Sequence, residues 1–246
     1  DVYGRSDSKS QWCDYYGVSE ERVNSLCRYY GIAPESAYYV MAVMPMNPQD
    51  EPGFVRYLHI ARDRLRKEDG NALFYCATPY MLVLQPAERE RLQRDFDLLQ
   101  ETARRYDVQV ALGYDREKTG ISRACEAAHR ARAACRTARF QHTGKPTCYQ
   151  ELSIELFLPE LTERTRRDYI QKVFPNTEGK QLDHWFNLLT AFYRCAGSIE
   201  RTADALYIHK NTVQYHLRKI AEVTGYDPRN IANATVFQLF LLLYTK

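Results

Sequence analysis

Two short helical patterns separated by a few residues constrain the fold of this chain more than any other feature, and they lie within residues 197–228. Ser198 precedes the first pattern and is a residue type that caps helix N-termini. The apolar residues of this pattern recur on one helix face, and they are Ile199, Ala203 and Leu206. Because Ala203 is small, a second helix can cross this face closely. Residues 207–210 are predicted to form the turn.

The second pattern begins after this turn and is longer. Asn211 is predicted to be its N-cap, and Gln214 follows at the spacing of a capping box. Gly225 is predicted to end the helix. The side chains expected to face the core are Val213, Leu217 and Ile220.

The outward side of this second helix is polar and basic, and no carboxylate occurs from residue 210 to residue 220. Its candidate DNA-binding residues are Lys210, Asn211, Thr212, Gln214, Tyr215, Arg218 and Lys219. Basic side chains and a helix N-terminus suit phosphate, whereas Gln and Arg can pair with base edges in a major groove. The alternative is a helical hairpin whose polar face is only solvated. The pattern alone leaves both interpretations open.

The rest of the chain divides into three predicted regions. Residues 1–35 are expected to hold a linker helix, which Ser19 would cap and Gly31 would end. Residues 36–140 alternate strand and helix patterns in the order β-α-β-β-α-β-α, which predicts a ferredoxin-like α/β sandwich with helices on one face of the sheet. The strands are expected at Tyr38–Met44, Ala72–Cys76, Tyr80–Leu84 and Val108–Gly113.

No strand pattern follows residue 141. Residues 141–180 are therefore predicted to be a helical connector, and residues 181–246 an all-helical helix-turn-helix domain. The expected fold class is α+β, an α/β sandwich followed by this all-α domain.

Composition limits the other possibilities. The 34 basic and 31 acidic residues leave a net charge of only +3, so any nucleic-acid interpretation depends on where the charge is placed. Seven cysteines without a C-x-x-C pair predict reduced, mostly buried thiols of a cytoplasmic protein.

His209 and His216 are seven residues apart but have no acidic or thiol partner, so no metal and no cofactor are expected. No apolar run has membrane length, and the first residue, Asp1, suggests an excised fragment.

The segment HKNTVQYHLRKIAEVTG resembles the signature H-R/K-N-T-hydrophobic-x-Y-R-L-x-R/K-I of the sugar-diacid and purine-catabolism regulator family (CdaR/PucR type). The preceding LLTAFYRCAGSIERTADALYIH and the apolar residues 233–244 are similar to the same family region. One departure is His216, where the family usually has Arg, and this change weakens a potential phosphate contact at neutral pH.

The segment VALGYDREKTGISRACEAAHRARAA resembles part of the degenerate GGDEF-like domain that members of this family commonly carry. The resemblance implies a sequence-specific transcription regulator that binds double-stranded DNA and controls a catabolic operon. It also implies a small-molecule effector, which we expect to bind a region absent from this chain.

The competing enzyme class is a diguanylate cyclase, which needs a Gly-Gly turn beside its nucleotide and adjacent carboxylates for Mg²⁺. The corresponding segment, Cys76–Met81, contains neither glycine nor acid. Asp50 and Glu51 lie between two prolines and are interpreted as a polar loop. We therefore predict that the chain is not an enzyme.

A third interpretation is a protein-interaction or dimerisation module with vestigial nucleotide binding. A homodimer is expected in any case, because one recognition helix contacts only a few base pairs. Several large apolar residues could form either a dimer surface or the core of the helical domain; they are Trp185, Phe186, Leu189, Phe192, Phe237, Phe240 and Leu241.

Overall fold

The computed structural model describes residues 36–47, 49–77, 79–87, 91–142, 144–177 and 179–244. The linker helix predicted within residues 1–35 lies outside the described residues. The chain divides into two compact units, residues 1–156 and 157–246.

The first unit follows the predicted order of strands and helices as far as its third helix and then adds one short strand. Its elements are β1 (Ala37–Pro45), α1 (Glu51–Glu68), β2 (Leu73–Ala77), β3 (Tyr80–Pro86), α2 (Arg91–Arg105), β4 (Val110–Gly120), α3 (Ala124–Gln141) and β5 (Thr147–Cys148). Helix α1 begins at Glu51, with Asp50 at its N-cap position, so the interpretation of these two residues as a polar loop is wrong. A proline in the first turn is compatible with this helix start because the first N–H groups have no partner within the helix.

The described strands form one sheet in the order β2-β3-β1-β4-β5. Neighbouring strands are antiparallel except β4 and β5, which are parallel. The first four strands have the order of a ferredoxin-like sandwich, which confirms the predicted fold class. The hairpin is confirmed as well, since Ala77 pairs with Tyr80 across its turn.

Helices cover both faces of this sheet, so the prediction of helices on one face is wrong. Met41 and Val43 of β1 pack with α1 and α2, which contribute Phe54 and Leu99 to the same cluster. The alternate residues Val40 and Ala42 belong to a second cluster, and its helical residues are Ala127, Ala128, Ala131, Cys135 and Ala138 of α3. Because side chains alternate along a strand, both faces of a central strand such as β1 can be apolar and covered.

The small-residue face of α3 lets this helix lie very close to β4. A Cβ atom added to Gly113 would stand 2.1 Å from the Cys135 backbone N and 2.6 Å from the Ala131 carbonyl O. Glycine is therefore required at this position for steric reasons. The predicted apolar face of α3 is confirmed, since Ala131 and Cys135 are completely buried.

The sheet extends further than its apolar residues indicate. Strand β4 continues to Gly120, seven residues beyond the predicted end at Gly113, and it pairs with β1 as far as Ala37. The two-residue strand β5 then pairs with Gly113 and Tyr114 of β4, although no strand was expected after residue 141. Residues 147–151 of the predicted connector therefore pack with the α/β unit.

The second unit is helical, as predicted. Its α-helices are α4 (Glu163–Val173), α5 (Lys180–Arg194), α6 (Ile199–Leu206), α7 (Lys210–Thr224) and α8 (Ala234–Leu243). They share one core around Trp185, in which Phe174 also lies against Phe240 with ring centroids 4.4 Å apart. The Tyr169 hydroxyl of α4 donates a hydrogen bond to the Val236 carbonyl at 3.0 Å, which joins α4 to α8.

The large apolar residues of this unit mostly form its own core. Five of the seven singled out in the sequence are buried there, and they are Trp185, Leu189, Phe192, Phe237 and Phe240. Phe186 and Leu241 are half-buried against the same cluster. Most of this apolar surface is thus already covered within one chain.

The cysteines only partly follow the prediction of buried thiols. Five lie among the described residues and all are free; Cys135 and Cys148 are buried, Cys125 and Cys195 are half-buried, and Cys76 is exposed. No helix in the described part of the chain combines the length and the apolar character needed to cross a bilayer.

Candidate DNA-binding interface

Helix α6 begins as the sequence predicts. The Ser198 side chain accepts a hydrogen bond from the Arg201 backbone N–H at 3.3 Å, which confirms the N-cap. The Thr202 hydroxyl donates to the Ser198 carbonyl at 2.6 Å and stabilises the same turn. Ala203 is buried where α6 meets the rest of the unit, and Leu206 packs half-buried against the shared core.

Tyr207 turns the chain out of α6 in a left-handed backbone conformation, with φ 54° and ψ 42°. Its backbone N–H donates to the Asp204 carbonyl at 3.2 Å. The next N–H, that of Ile208, returns to the Ala203 carbonyl at 3.0 Å. Two otherwise unpaired carbonyls at the end of α6 are satisfied in this way. The turn therefore closes without the glycine that usually occupies a left-handed position.

Helix α7 begins earlier than the sequence predicts. His209 is its N-cap, and its Nδ1 atom accepts a hydrogen bond from the Asn211 backbone N–H at 3.2 Å. The prediction of Asn211 as the N-cap is therefore wrong; Asn211 lies inside the first turn of α7. The predicted capping box of Asn211 and Gln214 is wrong as well. Such a box pairs the N-cap residue with the third residue of the helix, and Asn211 is not the N-cap. Imidazole is a rare capping group, so the sequence offered little signal for this role.

Helix α7 has one buried apolar face and one exposed polar face. Val213, Leu217 and Ile220 are completely buried, as predicted. All seven candidate DNA-binding residues are exposed, and they are Lys210, Asn211, Thr212, Gln214, Tyr215, Arg218 and Lys219. We refer to these seven as the α7 face.

The charge of the α7 face is positive. The Lys219 Nζ atom lies 3.5 Å from Glu222 Oε2, but both side chains are about half exposed, so this ion pair is weak. No ion pair of Lys210 or Arg218 occurs within the part of the chain that the structure describes. These two cations are accordingly available to an external anion.

His216 does not join the α7 face. Its ring packs against that of His184 on α5, with centroids 4.4 Å apart, and it is half-buried. Burial lowers the pKa of His216, and the neighbouring His184 lowers it further. A neutral, half-buried imidazole adds no charge for phosphate, which agrees with the weaker contact expected when His replaces the family's Arg.

The two histidines noted in the sequence therefore have separate roles. His209 caps α7, whereas His216 packs against α5. Among the described residues, no group of three or more His, Cys, Asp or Glu side chains is placed to hold a metal ion.

The hairpin of the α/β unit carries neither a glycine turn nor a carboxylate. Cys76 is exposed near its end, and Tyr80 is buried. The Arg132 guanidinium lies 4.3 Å from the centroid of the Tyr80 ring, a cation–π contact that fixes this end of β3 to α3. This contact is structural, and neither side chain is of the carboxylate type that Mg²⁺ prefers.

Both units match known protein families. Residues 16–137 match the GGDEF-like domain, and residues 185–243 match the PucR C-terminal helix-turn-helix domain. The second match covers the capped turn and the α7 face.

Similar proteins were found in several bacteria. The chain is 32% identical over 82 residues to YsfB of Bacillus subtilis, and 41% identical over 51 residues to Rv2242 of Mycobacterium tuberculosis. These alignments cover 32% and 21% of this chain, but only 21% and 12% of the two relatives, so the chain spans a small part of their length.

A solved structure is also similar, the regulator of polyketide synthase expression from Bifidobacterium adolescentis. It has 20% sequence identity and a TM-score of 0.43, with 91% of this chain and 86% of that chain covered. The two domain matches, in the order found here, identify the chain as a member of the CdaR/PucR-type family of regulators.

Proposed function

We propose that this chain is the DNA-binding part of a bacterial transcription regulator, and that α7 is its recognition helix. The observation that carries the proposal is the exposure of all seven residues of the α7 face, while the three apolar residues of the same helix are completely buried. A helix anchored on one side and polar on the other can enter a major groove without unfolding its own domain.

The chemistry of the α7 face fits the two kinds of contact that DNA recognition needs. Lys210, Arg218 and Lys219 carry the charges that neutralise phosphates, and these contacts position a protein on the duplex. Gln214 can pair bidentately with adenine, and Arg218 is long enough to reach guanine. The N-terminus of α7 adds backbone N–H groups and the positive end of the helix dipole.

The oligomeric state, the regulated genes, the effector and the cellular compartment are proposed from what is typical of the family. A homodimer would place two α7 helices in successive major grooves about one helical turn apart, which supplies the specificity that one helix lacks. Regulation of a catabolic operon by a small-molecule effector fits the family. The cytoplasm is the compartment in which such a regulator would meet DNA.

The test is capture of genomic DNA fragments by the purified chain, followed by fluorescence anisotropy on the enriched sequence. We expect a recurrent sequence with two related half-sites and an affinity that falls as salt rises. A Lys210→Ala/Arg218→Ala variant should lose most of this binding.

The matched control is Arg164→Ala/Arg167→Ala, which removes two exposed charges from α4 in the same unit. This control should bind almost as well as the wild type. Capture of no recurrent sequence, or equal losses in both variants, would contradict the proposal. The first result would favour the protein-interaction module instead.

We also propose that the α/β unit does not cyclise nucleotides. The residues of its hairpin end, Cys76, Pro79 and Tyr80 among them, include no glycine for close approach to a nucleotide and no acid for Mg²⁺. Incubation with GTP and Mg²⁺ should yield no cyclic dinucleotide, and measurable product would overturn this part of the proposal.

A further inference from the structure

Tyr207 combines two features that are unfavourable for the isolated protein. Its backbone lies in the left-handed region at φ 54°, where a side chain meets the backbone and glycine is favoured. The residue is 96% exposed, so its large ring is almost entirely in water. Folding of the helical unit explains neither feature, because a glycine would close the same turn with less strain.

The place of Tyr207 in the fold suggests what it contacts. It is the C-cap residue of α6, two positions before the N-cap His209 and three before Lys210. The exposed ring therefore lies close in sequence to the first residues of the α7 face. When α7 lies in a major groove, the residues just before its N-terminus approach the sugar-phosphate backbone at the edge of the groove.

We propose that Tyr207 is an additional DNA-contacting residue, which donates a hydrogen bond from its hydroxyl to a backbone phosphate beside the site of α7. This inference rests on the proposed function of the α7 face. The contact would position the helix without reading a base, as most phosphate contacts do. It would also explain why an exposed aromatic side chain stands at a strained position.

The proposed contact has a signature that separates it from the lysine contacts. A tyrosine hydroxyl is neutral, so it releases no counterion when it binds a phosphate. Loss of Tyr207 should therefore weaken binding to all sequences alike, without changing the slope of log K against log salt. Loss of Lys210 should weaken binding and also reduce that slope.

The experiment compares two variants of Tyr207 with one control, all measured on the captured operator and on unrelated DNA. Tyr207→Gly removes the side chain and relieves the strain, and Tyr207→Phe removes only the hydroxyl. The control, Ala196→Gly, makes the same backbone change at an exposed left-handed residue of the same unit, with φ 52°. Thermal unfolding of each protein is followed in parallel.

We expect both Tyr207 variants to bind operator and unrelated DNA about tenfold more weakly at an unchanged salt slope, the loss that fits one hydrogen bond to a charged group. Tyr207→Gly should melt at or above the wild-type temperature, and Ala196→Gly should bind like the wild type.

Wild-type affinity in Tyr207→Phe would overturn the hydroxyl contact while leaving the proposed function intact. A lower melting temperature in Tyr207→Gly would overturn the inference as well, because the side chain would then serve the fold. Failure of the wild type itself to bind DNA would reject the proposed function, and this inference with it.

Discussion

The Arg130 Nε atom lies 2.7 Å from Oδ2 of Asp115, whose side chain is completely buried in the α/β unit. This ion pair joins α3 to the charged second half of β4. The other carboxylate oxygen, Oδ1, accepts hydrogen bonds from the Gln150 side chain and from the Glu117 backbone N–H. Three donors therefore compensate for the burial of one negative charge, which is the condition under which a buried ion is tolerated.

We predict that Arg130→Met destabilises the α/β unit by about 2–4 kcal/mol, because it leaves the buried Asp115 carboxylate without its cation. The free energy of unfolding from urea titration measures the effect. Arg116→Met is the control, since Arg116 forms an exposed ion pair with Glu151 at 3.3 Å and should cost less than about 1 kcal/mol. Equal costs in the two variants would show that Asp115 does not depend on Arg130.

A methyl group at Gly113 should be severely destabilising. The added carbon of Gly113→Ala would overlap the backbone of α3 at Cys135, and a backbone atom cannot move aside as a flexible side chain can. We expect a loss of roughly 3 kcal/mol or failure to fold. Gly70→Ala is the control, because an added Cβ there meets nothing within 4 Å. Thermal unfolding of both variants decides the point, and a melting temperature near wild type for Gly113→Ala would contradict the close packing of α3.

Asp95 should make the stability of the α/β unit depend on pH. Burial raises the pKa of this carboxyl to about 6, Arg91 lowers it, and Asp69 and Glu68 raise it again. Its Oδ2 atom has no hydrogen-bond partner among the described residues. Because the folded pKa is above the unfolded value, the native state binds more protons. Stability is therefore highest below about pH 4 for this group and is lost as the pH rises through about 6.

The corresponding variant is Asp95→Asn, which keeps the shape but cannot ionise. At pH 8 we expect it to be more stable than the wild type by about 2–3 kcal/mol, and this difference should vanish towards pH 4. Asp97→Asn, on the exposed side of the same helix, is the matched control. Urea titrations between pH 4 and pH 8 test both variants, and parallel curves for wild type and Asp95→Asn would contradict the raised pKa.

Lys210 and Lys219 should contribute to DNA affinity through charge alone. Replacing either with Ala should weaken binding to all sequences alike and reduce the slope of log K against log salt by roughly 1, the value expected for one phosphate contact. The exposed ion pair of Lys219 with Glu222 is too weak to prevent this contact. Lys172→Ala, an exposed charge on α4, is the control and should leave the slope unchanged. An unchanged slope in Lys210→Ala would remove it from the interface.

Gln214 should read a base. The capping role that could have occupied its side chain is absent, because His209 caps α7 and Asn211 lies inside the helix. Gln214→Ala should cost ~1–3 kcal/mol at one operator base pair and leave non-specific binding nearly unchanged. Competition among single-base operator variants measures this discrimination, with Gln181→Ala, exposed on α5, as the control. Discrimination that is unchanged at every position would exclude Gln214 as a base reader.

An element could be predicted from the sequence where its apolar residues recur at regular spacing and are the residues that the fold buries. The three inward residues of α7 and the small-residue face of α3 both recur at helical spacing, and both are buried as expected. The second half of β4 could not be found in this way. Its residues 115–118 are charged or polar, and Asp115 is buried only because Arg130 and Gln150 reach it from later parts of the chain.

The N-cap of α7 is a second feature that the sequence alone could not predict. Asn211 has the right chemistry for an N-cap, but the chain leaves the turn at Tyr207 in a left-handed conformation, and the helix then begins two residues earlier. His209 becomes the cap because its ring, not the side chain of Asn211, lies beside a free backbone N–H. Residue preference alone cannot decide between two caps so close together.

The sequence by itself determined the order of elements over residues 36–140, the helical character of the last unit and the seven side chains of the α7 face, because periodicity and side-chain chemistry are local properties. Tertiary structure alone decided that α3 covers the second face of the sheet, that Asp115 is buried with Arg130, and that His216 packs against His184. Each of these depends on atoms far apart in the chain. Their contact is settled only when the elements pack, since burial and charge compensation are properties of the assembled fold.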